Sequence, residues 1–365
     1  MKNLSLILVL FLANTVSSQI REVNLFLNKR DISTIEREAG KFLKLQKLPG
    51  MTLVIANNGR IIFSKSYGFA SVSRKVKLEP KHKIAINNCT QVFTTVAIMK
   101  LLEEGKISLE DRVVGPGSIF EKEFPVVRKF EAMVTVRHLV EQTVGAWSHF
   151  AYLRYLKGKN DIEKMKTFLT NVRMTKEPGR YFSDSELAYF LLGRIIEKKT
   201  GKKYLEYLQE IMKEHIESDL TALGESNVKD VAIHYDEKSK PFNISTSRSN
   251  FNAKNNIVCS PHDFMNLLLS IDGLPAKKDL LTEAAVKILH TKSNVKTSTG
   301  KGWRFTENDD ITDHSFRTAS SAVYKMRADG ISWVFMANGR SYRAKSTEKF
   351  YYFPDLLLSK LKDIP

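Results

Sequence analysis

Two cysteines, Cys89 and Cys259, and eight scattered histidines are the side chains of this 365-residue sequence most readily read as nucleophiles or metal ligands. Cys89 lies in the stretch IAINNCTQVFTTVAIMKLLEEG, residues 84–105, where a helix begins. A thiol at a helix N-terminus has a lowered pKa and can attack an acyl carbon. With Cys259 it could instead form the single disulfide that the count allows, in a compartment that permits one. The histidines show no Cys/His spacing of the zinc type, so no metal and no cofactor is expected. His138, on the apolar side of a short helix, reads as a core or capping residue. Asn243-Ile244-Ser245 is a glycosylation sequon in a polar loop, residues 241–256. Asn88-Cys89-Thr90 is a second formal sequon, tucked at a helix start where modification is not expected.

The elements that must hold these groups follow from periodicity. After Gln91, the residues Val92, Val96, Met99 and Leu101/Leu102 recur at three- and four-residue steps, with Lys100, Glu103 and Glu104 on the other side. That spacing predicts an amphipathic helix with a broad apolar face, capped by Asn88 or Thr90 and ended by Gly105. Residues 32–45 predict another helix, with Ile35, Ala39, Phe42 and Leu45 on its apolar side, broken by Pro49-Gly50. Residues 51–56 and 60–67 are strand-like around Asn57-Asn58-Gly59, a hairpin signal. Residues 158–175 read as a polar, basic, helical insert, and residues 350–361 as a final amphipathic helix.

Several ordered passages resemble the serine β-lactamase and penicillin-binding-protein superfamily, in its class C β-lactamase and esterase branch. The head of the 84–105 helix is similar to the S-x-x-K turn, whose Ser attacks an acyl carbon and whose Lys removes its proton. Aligned on Phe93-Thr94 and on LLEEGKISLEDRV, Asn88 stands at the Ser position and Gln91 at the Lys position. A carboxamide forms no acyl ester, and Gln91 has no titratable nitrogen to serve as a base. The passage from Pro178-Gly179 to Thr200-Gly201 resembles the second motif, with Asp184 in place of its Tyr and Glu186 in place of its Asn. In this register the two carboxylates share a small pocket, where they would repel anionic ligands and each other. They would then serve acid/base work on a neutral or cationic ligand, or stand as solvated carboxylates at the mouth of an inert site. His314-Ser315-Phe316 resembles the third motif, K/H-T-G, with a phenyl ring in place of the Gly.

The resemblance covers residues 35–362 and implies an α/β (α+β) fold of the β-lactamase/transpeptidase type: an antiparallel sheet flanked by helices, with an inserted helical lobe. Residues 19–34 read as a lead-in. Residues 1–18, with Lys2, an apolar run and small residues ending at Ser18, read as a signal peptide, so the protein is expected to be secreted with no membrane span after cleavage. An uncleaved anchor is the competing reading, although about ten apolar residues are short for a span. A formal net charge of +17 favours anionic surfaces such as sulfated polysaccharide or acidic lipid, while no nucleic-acid signature marks a specific partner.

Three functions stay open. The first is a catalytically inactive relative whose pocket, with Asn88, Gln91, Asp184, Glu186, His314, Ser315 and Phe316 at the family positions, binds a small molecule or protein. The second is a serine- or cysteine-type hydrolase with relocated chemistry at Cys89. The third is a basic extracellular protein that binds anionic polysaccharide or lipid through clusters such as residues 198–203.

Overall fold

At Asn58 and Gly59 the backbone takes positive φ, 46° and 78°, as a tight hairpin turn between twisted strands requires. This turn joins β2 (Gly50–Asn57) to β3 (Arg60–Ser71) in the computed structural model of the chain. The structure describes residues 22–24, 27–145, 147, 158–216, 221–222, 230–243, 253, 257–317, 319–340 and 346–362. The signal-peptide reading of residues 1–18 lies outside them, as do residues 19–21 and 25–26 of the lead-in and residues 244–252 and 254–256 of the 241–256 loop.

The main sheet runs β1-β3-β2-β13-β12-β11-β10, antiparallel throughout, with β4 beside β3. Its other strands are β1 (Val23–Asn24), β4 (Val76–Lys77), β10 (Arg304–Phe305), β11 (Ile311–Arg317), β12 (Ser320–Met326) and β13 (Ile331–Ala337). Pairing of Val334 with Val54 closes the C-terminal hairpins onto the N-terminal one. Short strands β5 (Ile84–Ala85), β6 (Thr221–Ala222) and β9 (Ile257–Cys259) form a second sheet, and β7 (His234–Tyr235) pairs with β8 (Pro241–Phe242).

Successive strand residues point to opposite faces, and both faces are buried. Leu53, Ile55, Phe63, Val323 and Phe335 pack under α1 (Lys29–Gln46) and α9 (Ser346–Leu358). Val54, Ala56, Ala322, Tyr324 and Met336 pack on the other side, against α2 (Thr90–Glu103) and α7 (Pro261–Leu269). The remaining helices are α3 (Val136–Val140), α4 (Asp161–Asn171), α5 (Glu186–Thr200), α6 (Tyr204–Ile216) and α8 (Glu283–Leu289). α4 gives the expected insert its helix.

The expected amphipathic character of α2 does not hold. Every residue from Thr90 to Met99 is buried, because α5 and α6 cover the side opposite the sheet. Its polar positions are satisfied internally: the Thr94 hydroxyl lies 2.7 Å from Tyr204 Oη, and Thr95 Oγ1 3.3 Å from Tyr189 Oη. Neither Asn88 nor Thr90 caps it. A 3₁₀ turn, Asn87–Cys89, leads in instead, and Thr90 Oγ1 accepts from the Ile257 N–H at 3.3 Å. Gly105 ends the run at φ 68°, as its type suggested.

Candidate functional site

The head of α2 is positioned from three directions. β5 pairs with β9, Ile84 opposite Cys259, and the Ala85 N–H donates to His234 Nε2 at 3.0 Å. Burial holds the His234 ring neutral, its pKa pushed down to about 4 against the opposing effect of a hydrogen bond to the Ala232 backbone. Asn87 then turns left-handed, φ 47°, and its Nδ2 donates to Ser320 Oγ at 2.7 Å, tying the turn to β12. The chain is thereby aimed so that Asn88 and Gln91, one helical turn apart, face the same cleft.

That cleft is narrow, with about 30 Å³ of free space between its walls. One wall carries Gln142, Phe182 and Asp184, and the other Gly300, Trp303, Arg304 and Asp313. Gln142, itself at φ 55°, is the bridge between floor and wall: its Nε2 donates to Gln91 Oε1 at 2.9 Å, and its Oε1 accepts from the Ser185 N–H at 3.0 Å. Gln91 is thus fixed as an acceptor toward Gln142. Asp313 is almost buried and lies 3.6 Å from Arg304 Nε, an exposed guanidinium at the rim. The Trp303 indole N–H is buried with no acceptor among the described residues. Gly302 lets this wall approach, since a Cβ there would stand 2.6 Å from Thr95 Oγ1 at a backbone φ of 92°.

Of the residues singled out from sequence, the structure brings Asn88, Gln91 and Asp184 to the cleft. Asp184 is exposed, while Glu186 is buried in the first turn of α5, behind it, where the helix N-terminus favours a carboxylate. His314 and Phe316 require correction. Strand alternation turns them to the far face, where the His314 ring lies 5.2 Å from that of Phe316 and 5.5 Å from Tyr351, and Phe316 packs 5.7 Å from Phe350. Burial there, with Arg304 adding to it, drives the His314 pKa down to about 4. The strand therefore presents Asp313 to the cleft. Ser315 shares that face but lies deeper, with no partner for its Oγ among the described residues.

The thiol reading is also corrected. Cys89 is turned into the core, its Sγ 3.8 Å from the Ala322 carbonyl oxygen, and burial with nearby Asp313 drives its pKa well up rather than down. Cys259 is a second buried free thiol, so the bridge that the count allowed is not made. Among the described residues no group of three or more metal-ligating side chains forms. His138 caps α3, its Nδ1 accepting from the Thr135 N–H at 3.1 Å. Asn243 is exposed. The 198–203 lysines are partly matched: Lys198 pairs with Glu123 at 2.6 Å, and Lys202 pairs with Glu210.

Gln142, Trp303, Arg304 and Asp313 are site residues that sequence reasoning missed. All four lie within the span 35–362 that resembles the family, and alternation along residues 311–316 would have placed Asp313 and His314 on opposite faces. Burial of both faces hid which was which.

Comparison with known proteins gives one consistent result. The Beta-lactamase family model matches residues 35–352. The protein flp of Staphylococcus aureus (strain MW2) is 28% identical over 280 residues, 73% of this chain and 54% of that protein. The chain thus spans about half the length of the curated relatives it matches first. Among solved structures, a penicillin-binding protein homologue from Pyrococcus abyssi superposes with a TM-score of 0.71 at 23% identity, over 91% of this chain and 78% of that one. A class C beta-lactamase superposes at 0.76 with 15% identity, over 92% and 98%. These structures share the fold.

Proposed function

The chain belongs to the β-lactamase family, and from that premise we propose that it is a secreted, non-acylating member whose cleft binds a ligand instead of turning one over. The observation that carries this reading is the pair of carboxamides at the head of α2. Asn88 offers no hydroxyl to acylate, and Gln91, held by Gln142, offers no base to deprotonate one. Cys89 is no substitute, because its sulfur is buried away from the cleft and its thiolate is disfavoured.

The remaining lining suggests the ligand's chemistry. Asp184 and Asp313 are set against Arg304 and Lys296, whose Nζ lies 4.6 Å from the centre of the Phe182 ring, and Trp303 adds aromatic surface. Carboxylates and ring faces attract ammonium groups, whereas the carboxamides of Asn88 and Gln91 hydrogen-bond neutral amides or hydroxyls. A neutral or cationic small molecule fits this cleft better than an anion. A thermal-shift panel of amines, sugars, amides and carboxylates tests it. Stabilisation by cationic or neutral compounds, lost in Asp184→Asn/Asp313→Asn, is expected. Stabilisation by carboxylates at least as strong would contradict the reading.

A further inference from the structure

The far face of the sheet carries a feature unrelated to the cleft. α1 and α9 cross it side by side and antiparallel. Phe42 stacks on Phe353 with centroids 4.0 Å apart, Lys360 Nζ reaches Glu38 Oε2 at 2.5 Å, and the Lys362 N–H donates to Asp31 Oδ1 at 3.2 Å. At about 100° per residue, Leu45 and Lys41 fall on the same flank of α1 as Glu38, the flank that meets α9. On α9 the same construction puts Tyr352, Leu356 and Lys349 beside Lys360. Along this seam Leu45 is 58% exposed, Tyr352 49% and Leu356 60%, three of the large apolar side chains most open to solvent.

The charge around the seam has one sign in excess. Glu38 is bracketed by Arg37 at 3.1 Å, Lys41 at 3.2 Å and Lys360, and these cations hold its carboxyl down at about 2. Lys44 and Lys349 stand exposed nearby. A row of apolar side chains set among lysines is the pattern of a surface that lies in the headgroup layer of an anionic bilayer, the apolar groups entering the acyl boundary and the ammoniums meeting lipid phosphates. Among the described residues no helix is long and apolar enough to cross a membrane, so contact at the surface is what this face can offer.

We propose that the α1–α9 seam docks the protein peripherally on an anionic membrane surface. A sulfated polysaccharide would use the lysines alone. The exposed Leu45, Tyr352 and Leu356 favour lipid, because a polyanion gives them nothing to bury against.

Vesicle flotation of the purified chain, with phosphatidylcholine alone or with about 30 mol% phosphatidylserine, tests this directly. Binding to the anionic vesicles is expected, with a partition coefficient lowered about tenfold or more by Leu45→Ser/Leu356→Ser and likewise by Lys41→Glu/Lys349→Glu. All four side chains are at the surface, so melting temperatures fall only by what the exposed Lys41–Glu38 pair contributes, and Tyr352→Ser serves as an independent third variant. Absence of binding to anionic vesicles would overturn the proposal. So would binding that depends on the lysines alone while heparin retention falls in step, which would assign the seam to polyanions.

Discussion

Removing the Gln142 side chain tests how the cleft is held together. In Gln142→Ala two hydrogen bonds go, the one to Gln91 Oε1 at 2.9 Å and the one from the Ser185 N–H at 3.0 Å. Each contributes about 1 kcal/mol net, and leaving the Ser185 N–H unsatisfied inside the fold adds about 1–2 kcal/mol more. Ser185 has no exposed surface, so water does not replace the lost acceptor without rearrangement. The backbone at φ 55° is no worse for Ala than for Gln, since both carry a Cβ. A loss of about 3–4 kcal/mol follows, or roughly 4–6 °C in melting temperature for a chain of this size. Calorimetry with a double-mutant cycle against Gln91→Ala is the assay, with a coupling of about 1 kcal/mol expected. Gln142→Glu keeps the acceptor for Ser185 but cannot donate to Gln91, so it falls between. A loss under about 0.5 kcal/mol in Gln142→Ala, or strict additivity in the cycle, would refute the bridge.

Three other outcomes follow from the geometry. Native protein exposed to iodoacetamide remains unlabelled at Cys89 and Cys259, and both react once it is unfolded; fast native labelling of Cys89 would reopen the thiol chemistry. His234 binds its proton near pH 4 when folded and near 6.5 when unfolded, so the unfolded state takes up more protons between those values. His234 thus contributes a loss of stability of up to about 3 kcal/mol as pH drops from about 6.5 toward 4, and in melts across the range His234→Gln removes that share of the slope while the share of His314, also lowered to about 4, remains. Gly302→Ala forces a Cβ to 2.6 Å from Thr95 Oγ1 at a φ of 92°, costing about 2 kcal/mol or more and shifting the Trp303 wall, as melting and indole fluorescence would record.

The passages that resembled the family were enough to fix the architecture, because each couples local structure with long-range order. Asn57-Asn58-Gly59 specifies a turn through its own backbone preferences, and Gly105 ends α2 at a φ of 68° for the same reason. Such signals need no knowledge of neighbours. The burial of α2 on all sides was not readable, since its threonines look polar until Tyr189 and Tyr204 arrive from α5 and α6. The orientation of residues 313–316 was hidden for a related reason. On a strand covered on both faces, Asp313 and His314 are each plausible toward the cleft, and only the packing of Phe316 on Phe350 decides between them. Cys89, adjacent to Asn88 in sequence, is rotated by about 120° along the 3₁₀ turn into the core, an offset that helical geometry alone predicts.

On the proposed function, the carboxamides of Asn88 and Gln91 leave the head of α2 without a group that can be acylated. Intact-mass measurement after exposure of the folded protein to excess benzylpenicillin and to a fluorophosphonate tests it without assuming any substrate. An unchanged mass is expected with both reagents. A stoichiometric adduct mapped by peptide digestion to a residue lining the cleft would contradict it.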